Sequence, residues 1–166
     1  MNRRVFVQPA RDEASRINIL KSIDRKVSQA LLDRLDPYEA QRIRDKLGTE
    51  DFRLWAPKAS PRNEATWEKM FPGDLVLLYP HGYSKRLRCF EVTGTIESPA
   101  LGRLVWGATA PGVEFRHLYG LGKEYQCTLT IEDFNEVLGY ERNNTIQGFG
   151  VYEYTKAQAL IASLAG

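Results

Sequence analysis

The apolar run Leu75-Val-Leu-Leu-Tyr79, followed after a turn by the longer string Leu87–Ile96, constrains this fold more than any other feature. Five apolar residues without alternation suit a strand covered on both faces. The second string alternates in part, as a strand with one wetter face does. Pro80-His-Gly-Tyr between them is a turn signal, and Pro72-Gly73-Asp74 marks another turn before the pair. The spacing predicts a hairpin.

Helical spacing governs the earlier part of the chain. Ile17, Leu20, Ile23 and Val27 recur on one face, with Asp12 as N-cap, which predicts a helix from about 13 to 28. Leu31, Leu32 and Leu35 continue the pattern. Asp36-Pro37 restarts it with a cap and a proline at the first helical position, Tyr38, Ile43 and Leu47 face one side, and Gly48 ends the helix. Before all this, Arg4-Val-Phe-Val7-Gln predicts an opening strand that ends at Pro9.

From Phe52 onward strands dominate. A short strand ends in Trp55, and Asn63 is read as the N-cap of a helix through Met70, with Trp67, Met70 and Phe71 facing inward. Trp106 stands against Gly107 at an expected strand-to-loop transition. Phe115–Leu121 and Tyr125–Leu129 read as two further strands, Ile131–Leu138 as a helix capped by Thr130, and Gly148–Tyr152 as a last strand. Thr155 is the expected cap of a terminal helix to Leu164. The expected architecture is one α+β domain over residues 1–166. Its strands curl into a small β-barrel, and its helices pack outside.

Composition bounds the function. A chain of 166 residues with 43% hydrophobic and 27% charged residues is an ordinary globular protein. No stretch approaches the roughly 18 apolar residues of a membrane span, and the N-terminus lacks an apolar signal segment, so a cytoplasmic protein without a membrane partner is expected. Cys89 and Cys127 lie in apolar strings and read as small buried hydrophobes. His81 and His117 stand apart, and with no CxxC pair or Cys/His cluster no metal site is expected. GxSxG, P-loop, HExxH and dinucleotide glycine patterns are absent, so no catalytic residue and no cofactor is assigned. The net charge of +2 says little, but Lys85, Arg86 and Arg88 cluster after a turn, and Lys58 and Arg62 lie in the loop after Trp55. These cations suit phosphates, or are simply solvated.

The tryptophans carry the more specific chemistry. Trp67 reads as core, whereas Ala56-Pro57 cuts short the strand of Trp55, and Gly107 follows Trp106. Two flat rings at the mouth of a curled sheet suit a stacked base, at about 1–3 kcal/mol per base. A methyl group adds apolar area to such a base, and a duplex hides its faces, so a pocket reader takes a single strand or flips the base out. The backbone of Ala56 and the side chains of Gln8, Asp12 or Asn63 are candidates to read the base edge. Tyr79, Pro111 or Val113 is a candidate third wall.

The order Trp55-Ala-Pro, Asn63-Glu, Trp67, the strand Leu75–Tyr79 and Leu87–Val92-Thr-Gly resembles the central stretch of YTH domains. With Gly73-Asp74 before the strand it is also similar to EVE domains of the PUA-like superfamily. Leu104-Val-Trp106-Gly followed by Phe115-Arg-His-Leu-Tyr119-Gly-Leu looks closest to EVE-like domains of modification-dependent restriction proteins, among them McrB-type GTPases and HNH-nuclease fusions. The resemblance runs from residue 4 to about 154. It implies that Trp55 and Trp106 are cage walls for a methylated base and that Ala56 offers a backbone contact. It implies further that the partner is modified double-stranded DNA with a flipped base, in a restriction or phage-defence system. The effector, a nuclease or an AAA+ GTPase, is then expected on another segment or subunit. An RNA-binding PUA-like module and an ASCH-like small-ligand barrel are the alternatives.

Overall fold

The structure is a computed structural model and describes residues 2–80 and 85–164; the turn expected at His81–Tyr83 lies outside them. In chain order the elements are β1 (Val5–Ala10), α1 (Glu13–Ile19) running directly into a π-helical turn (Leu20–Asp24), a 3-10 turn (Gln29–Arg34), α2 (Pro37–Leu47), β2 (Arg53–Trp55) and α3 (Pro61–Trp67). The chain continues through β3 (Leu75–Pro80), β4 (Arg88–Glu97), α4 (Pro99–Trp106), β5 (His117–Tyr125), α5 (Ile131–Val137), β6 (Gly150–Tyr152) and α6 (Tyr154–Leu164). Backbone pairing gives the strand order β2-β5-β4-β3-β1-β6. The sheet is therefore open, and the expected barrel is corrected. Its two edge strands, β2 and β6, are three residues each, too short to supply the ladder that would seal a barrel.

Two compact units divide the chain. One comprises Met1–Arg16, Gly73–Glu91 and Lys123–Gly166; the other comprises Ile17–Pro72 and Val92–Gly122. In the first, β1 lies between β3, parallel to it from Val5↔Leu75, and β6, antiparallel to it at Val5↔Tyr152. The expected hairpin is present: β3 and β4 pair antiparallel from Leu75↔Glu91 to Leu78↔Arg88. Alternate residues Val5, Val7, Leu75, Leu77 and Cys89 share a core with Phe134 of α5 and Leu160 of α6. Burial of each such aliphatic side chain contributes about 1.5–3 kcal/mol. Thr130 caps α5 as expected: its Oγ1 accepts from Asp133 N–H at 3.2 Å, and Asp133 Oδ2 accepts from Thr130 N–H at 3.1 Å. The terminal helix begins at Tyr154, so Thr155 lies inside it rather than capping it.

In the second unit β2 pairs antiparallel with β5, Trp55 opposite Tyr119. Asp36 caps α2 by accepting from Tyr38 N–H at 2.9 Å, and Ala40, Ile43 and Leu47 turn inward. Tyr38, placed by periodicity on that face, is 78% exposed instead. The end of α2 passes so close to the strands that a Cβ at Gly94 would overlap the Lys46 carbonyl oxygen. Only glycine fits there.

Three elements depart from expectation. The helix at 13–28 ends early, and its last turn widens to π geometry. The string around Trp106 is a helix, because Ser98 Oγ accepts from Leu101 N–H at 3.1 Å, Pro99 fills the first position, and Gly107 at φ +85° ends it. The strands expected at Phe115–Leu121 and Tyr125–Leu129 are one strand, β5, and none forms at 126–129.

Candidate functional site

Trp55 and Trp106 come together in the second unit. β2 delivers Trp55 from its last position, and the final turn of α4 delivers Trp106. The ring centroids are 5.9 Å apart and the planes are inclined at 75°, an edge-to-face pair. Phe115 packs on Trp106 in the same way, at 5.5 Å and 68°. The sequence offered no signal for this third ring beyond its place in an apolar string; Pro111 is exposed and Val113 half-buried.

A hydroxyl fixes the pair. Ser22, in the π-helical turn and fully buried, accepts from Trp106 Nε1 at 3.1 Å and donates to the Leu54 carbonyl at 2.7 Å. Lys21 Nζ reaches the Trp106 carbonyl at 3.5 Å. The hydroxyl thus joins three chain segments at one point, and a buried polar group with both roles filled is costly to disturb. Neither Lys21 nor Ser22 was singled out by sequence, because the Trp106 that both contact is 84 or more residues away.

The two rings form a corner rather than a slot. Two parallel walls around a base need about 7 Å between planes, two van der Waals spacings. Here the rings touch each other, and Trp55 and Trp106 are only 5% and 6% exposed. Ala56 is buried beside them. The following loop is tied down by Ala59 N–H, which donates to the Glu114 carbonyl at 2.8 Å.

Asn63 does not cap α3; Ser60 does, its Oγ accepting from Asn63 N–H at 3.1 Å with Pro61 at the first position. The Asn63 amide nitrogen instead donates to the Lys58 carbonyl at 2.8 Å, which fixes the loop carrying the exposed Lys58; Arg62, expected in that loop, is exposed in the first turn of α3. Trp67 is half-buried, its Nε1 donating to the Leu118 carbonyl at 3.0 Å, while Phe71, expected inward, is 58% exposed. The Trp67 ring lies 4.9 Å from that of buried His117, whose ring nitrogens have no hydrogen-bond partner. Glu64 and Glu97 approach its Nε2 at 3.6 and 3.9 Å.

The remaining candidates belong to the first unit. Gln8 is buried, with Nε2 donating to the Pro9 carbonyl at 3.3 Å. Asp12 caps α1, accepting from Ser15 N–H at 2.7 Å. The Tyr79 hydroxyl accepts from Arg11, whose guanidinium lies 4.3 Å over the ring. Arg88 grips Glu124 with two hydrogen bonds, at 2.8 and 3.2 Å, and Lys85 Nζ meets Glu132 at 2.7 Å. An open groove of about 520 Å³ runs between Arg86, Arg88, Glu124 and Tyr125. Cys89 is buried, which pushes its thiol up to about 12; Cys127 is half-buried. Among the described residues, no group of three or more His, Cys, Asp or Glu side chains is placed to hold a metal, and no helix is long and apolar enough to cross a membrane.

No protein-family model and no curated protein sequence matches this chain. Among solved structures, the N-terminal domain of Thermococcus gammatolerans McrB bound to m5C DNA aligns with a TM-score of 0.71 at 19% identity. The alignment covers 98% of this chain and 97% of that one. At that identity the likeness is one of fold: over nearly its whole length, this chain has the fold of a McrB-type N-terminal domain.

Proposed function

We propose that this chain is a non-catalytic recognition module for modified DNA, and that the corner of Trp55 and Trp106 receives one extruded, methylated base. The observation that carries the reading is the near-complete fold likeness to a McrB N-terminal domain whose solved structure holds m5C DNA. The ring geometry supports it. Rings at 75° suit a base that lies with its face on one indole and its methyl edge against the other. Because both rings are buried, the corner opens as the base enters, and the backbone of Ala56 lines it.

Extrusion costs a few kcal/mol, which stacking at about 1–3 kcal/mol and phosphate contacts offset. Lys58, on the loop tied beside the corner, and Arg62, in the first turn of α3, meet the backbone; Lys85, Arg86 and Arg88, in the first unit, are candidates for phosphate contacts of their own. The base is a methylated or hydroxymethylated cytosine or N6-methyladenine. Cleavage belongs to an effector on another segment or subunit, a nuclease or an AAA+ GTPase in a cytoplasmic restriction system.

Fluorescence anisotropy tests the reading with matched duplexes, unmodified or carrying 5-methylcytosine, 5-hydroxymethylcytosine or N6-methyladenine, beside RNA of the same sequence. We expect a preference of tenfold or more for one modification, about 1.4 kcal/mol, that Trp55→Ala and Trp106→Ala abolish. Equal binding to every duplex, indifferent to both substitutions, sinks it. Tighter binding to the RNA moves the assignment to an RNA reader.

A further inference from the structure

The two cysteines read from the sequence as separate buried hydrophobes, yet the first unit sets them opposite each other. Leu87 N–H donates to the Leu129 carbonyl and Ile131 N–H to the Lys85 carbonyl, each at 2.9 Å, which pairs Arg86 with Thr130 in antiparallel register. Counting up one segment and down the other from that pair brings Cys89 opposite Cys127. Beyond them the count still holds: the Tyr125 hydroxyl donates to Glu91 Oε2 at 2.8 Å. The cysteines are thus bracketed on both sides.

They also share a face. Leu87, Cys89, Leu129 and Ile131 belong to the core of this unit, and Tyr125 and Cys127 pack against it. Although 126–129 form no strand, alternation persists there: Gln126 and Thr128 are exposed, Cys127 is half-buried and Leu129 is buried. The two sulfurs sense each other, since burial first and then Cys127 push the Cys89 thiol up. Opposed residues of an antiparallel pair stand about 4.5–5.5 Å apart at Cα, inside the roughly 4.4–6.8 Å that a disulfide spans.

Their difference in exposure sets an order of events. Cys127 lines the open groove with Arg86, Arg88 and Gln126, whereas Cys89 is fully buried. A reagent in the groove therefore meets Cys127 first.

We propose that Cys89 and Cys127 are a redox-active dithiol, closed to a disulfide by a small disulfide of the glutathione type that enters the groove. The Cys127 thiolate attacks one sulfur of the reagent, forms a mixed disulfide and expels one thiolate. Cys89 then loses its proton to solvent and attacks the Cys127 sulfur, expelling the second. The two protein thiols are oxidised by two electrons in all, and the reagent leaves as two thiols. The bridge joins β4 to the segment that leads into α5, and with them the two walls of the groove. This inference stands apart from the reading of modified DNA.

The test incubates the reduced full-length chain with oxidised glutathione and follows its intact mass without denaturant. Burial raises both thiols, so mildly alkaline pH is used to supply thiolate. We expect the loss of two hydrogens with no glutathione retained, and one peptide linking residues 89 and 127. The thermal midpoint should rise by about 5–10 °C, and dithiothreitol should reverse the rise. Cys89→Ala, which has no second thiol, should stop with one glutathione on Cys127. A wild type that keeps its glutathione, that joins two copies through Cys127, or that closes only after unfolding in urea overturns the dithiol. So does a wild type that does not react, or a bridge that lowers the midpoint.

Discussion

The aromatic corner of the second unit and the basic groove of the first handle water in opposite ways. Trp55 and Trp106, almost wholly buried, lock edge to face with each other and, through Trp106, with half-buried Phe115, and the Ser22 hydroxyl fixes Trp106 in direction. Arg88 and Lys85 remain partly or largely in solvent, each answered by a carboxylate. Packing of the first kind gives shape and direction, and so discrimination. Exposed charge gives attraction that salt weakens, and little stability. A reader of a small chemical mark needs the first for selectivity and the second for encounter.

The largest test of this contrast is Trp106→Ala, which removes the ring that Trp55, Phe115 and Ser22 all contact. Loss of about 3–5 kcal/mol is expected in urea unfolding; an unchanged midpoint means the corner is not a packed unit. Next comes Ser22→Ala, which strips a partner from Trp106 Nε1 and from the Leu54 carbonyl. About 1–3 kcal/mol is expected, with a weakened methyl preference in a protein that still folds. Arg88→Ala should change stability by at most about 1 kcal/mol. Its effect belongs instead in the salt dependence of DNA binding, a slope lower by about 1 with the methyl preference intact. If Arg88→Ala erases the preference, the division of labour is wrong.

The smallest effect is one of pH. Arg42 first, and then the Ser98 hydroxyl, hold the Glu39 carboxyl below the usual glutamate range. A depressed value means that the stabilisation is complete above the ordinary value of about 4.3 and is lost as pH falls through the folded one. Denaturant midpoints taken between about pH 5 and pH 3 should therefore drop less steeply in Glu39→Gln than in the wild type.

Local signals were legible in the sequence where the partner is also local. Asp36-Pro37 starts α2, Thr130 with Asp133 starts α5, and the unbroken run from Leu75 is the doubly covered strand β3. Trp55 and Trp106 were paired by their contexts, but their mutual angle is set by Phe115 and Ser22, whose positions only the fold decides. Asn63 and Ser60 are both good caps by residue type; Pro61, fit for the first helical position, settles it for Ser60. Ser98-Pro99 and Gly107 were the start and stop of α4 all along, but glycine and proline also punctuate loops, and Trp106 was read as the end of a strand. The exposure of Ile17 and Leu20, 42% and 52%, was illegible, since helical spacing fits equally the face of Ile19, Ser22 and Ile23, which is the one that packs.

The contact between Trp55 and Trp106 also makes the protein its own optical probe. The chain has three tryptophans, and two of them are buried against each other. Any ligand that parts the rings changes the surroundings of both indoles at once, so their emission should report opening of the corner without a dye. Trp67→Phe removes the remaining indole, outside the pair, and leaves a signal that comes from the corner alone.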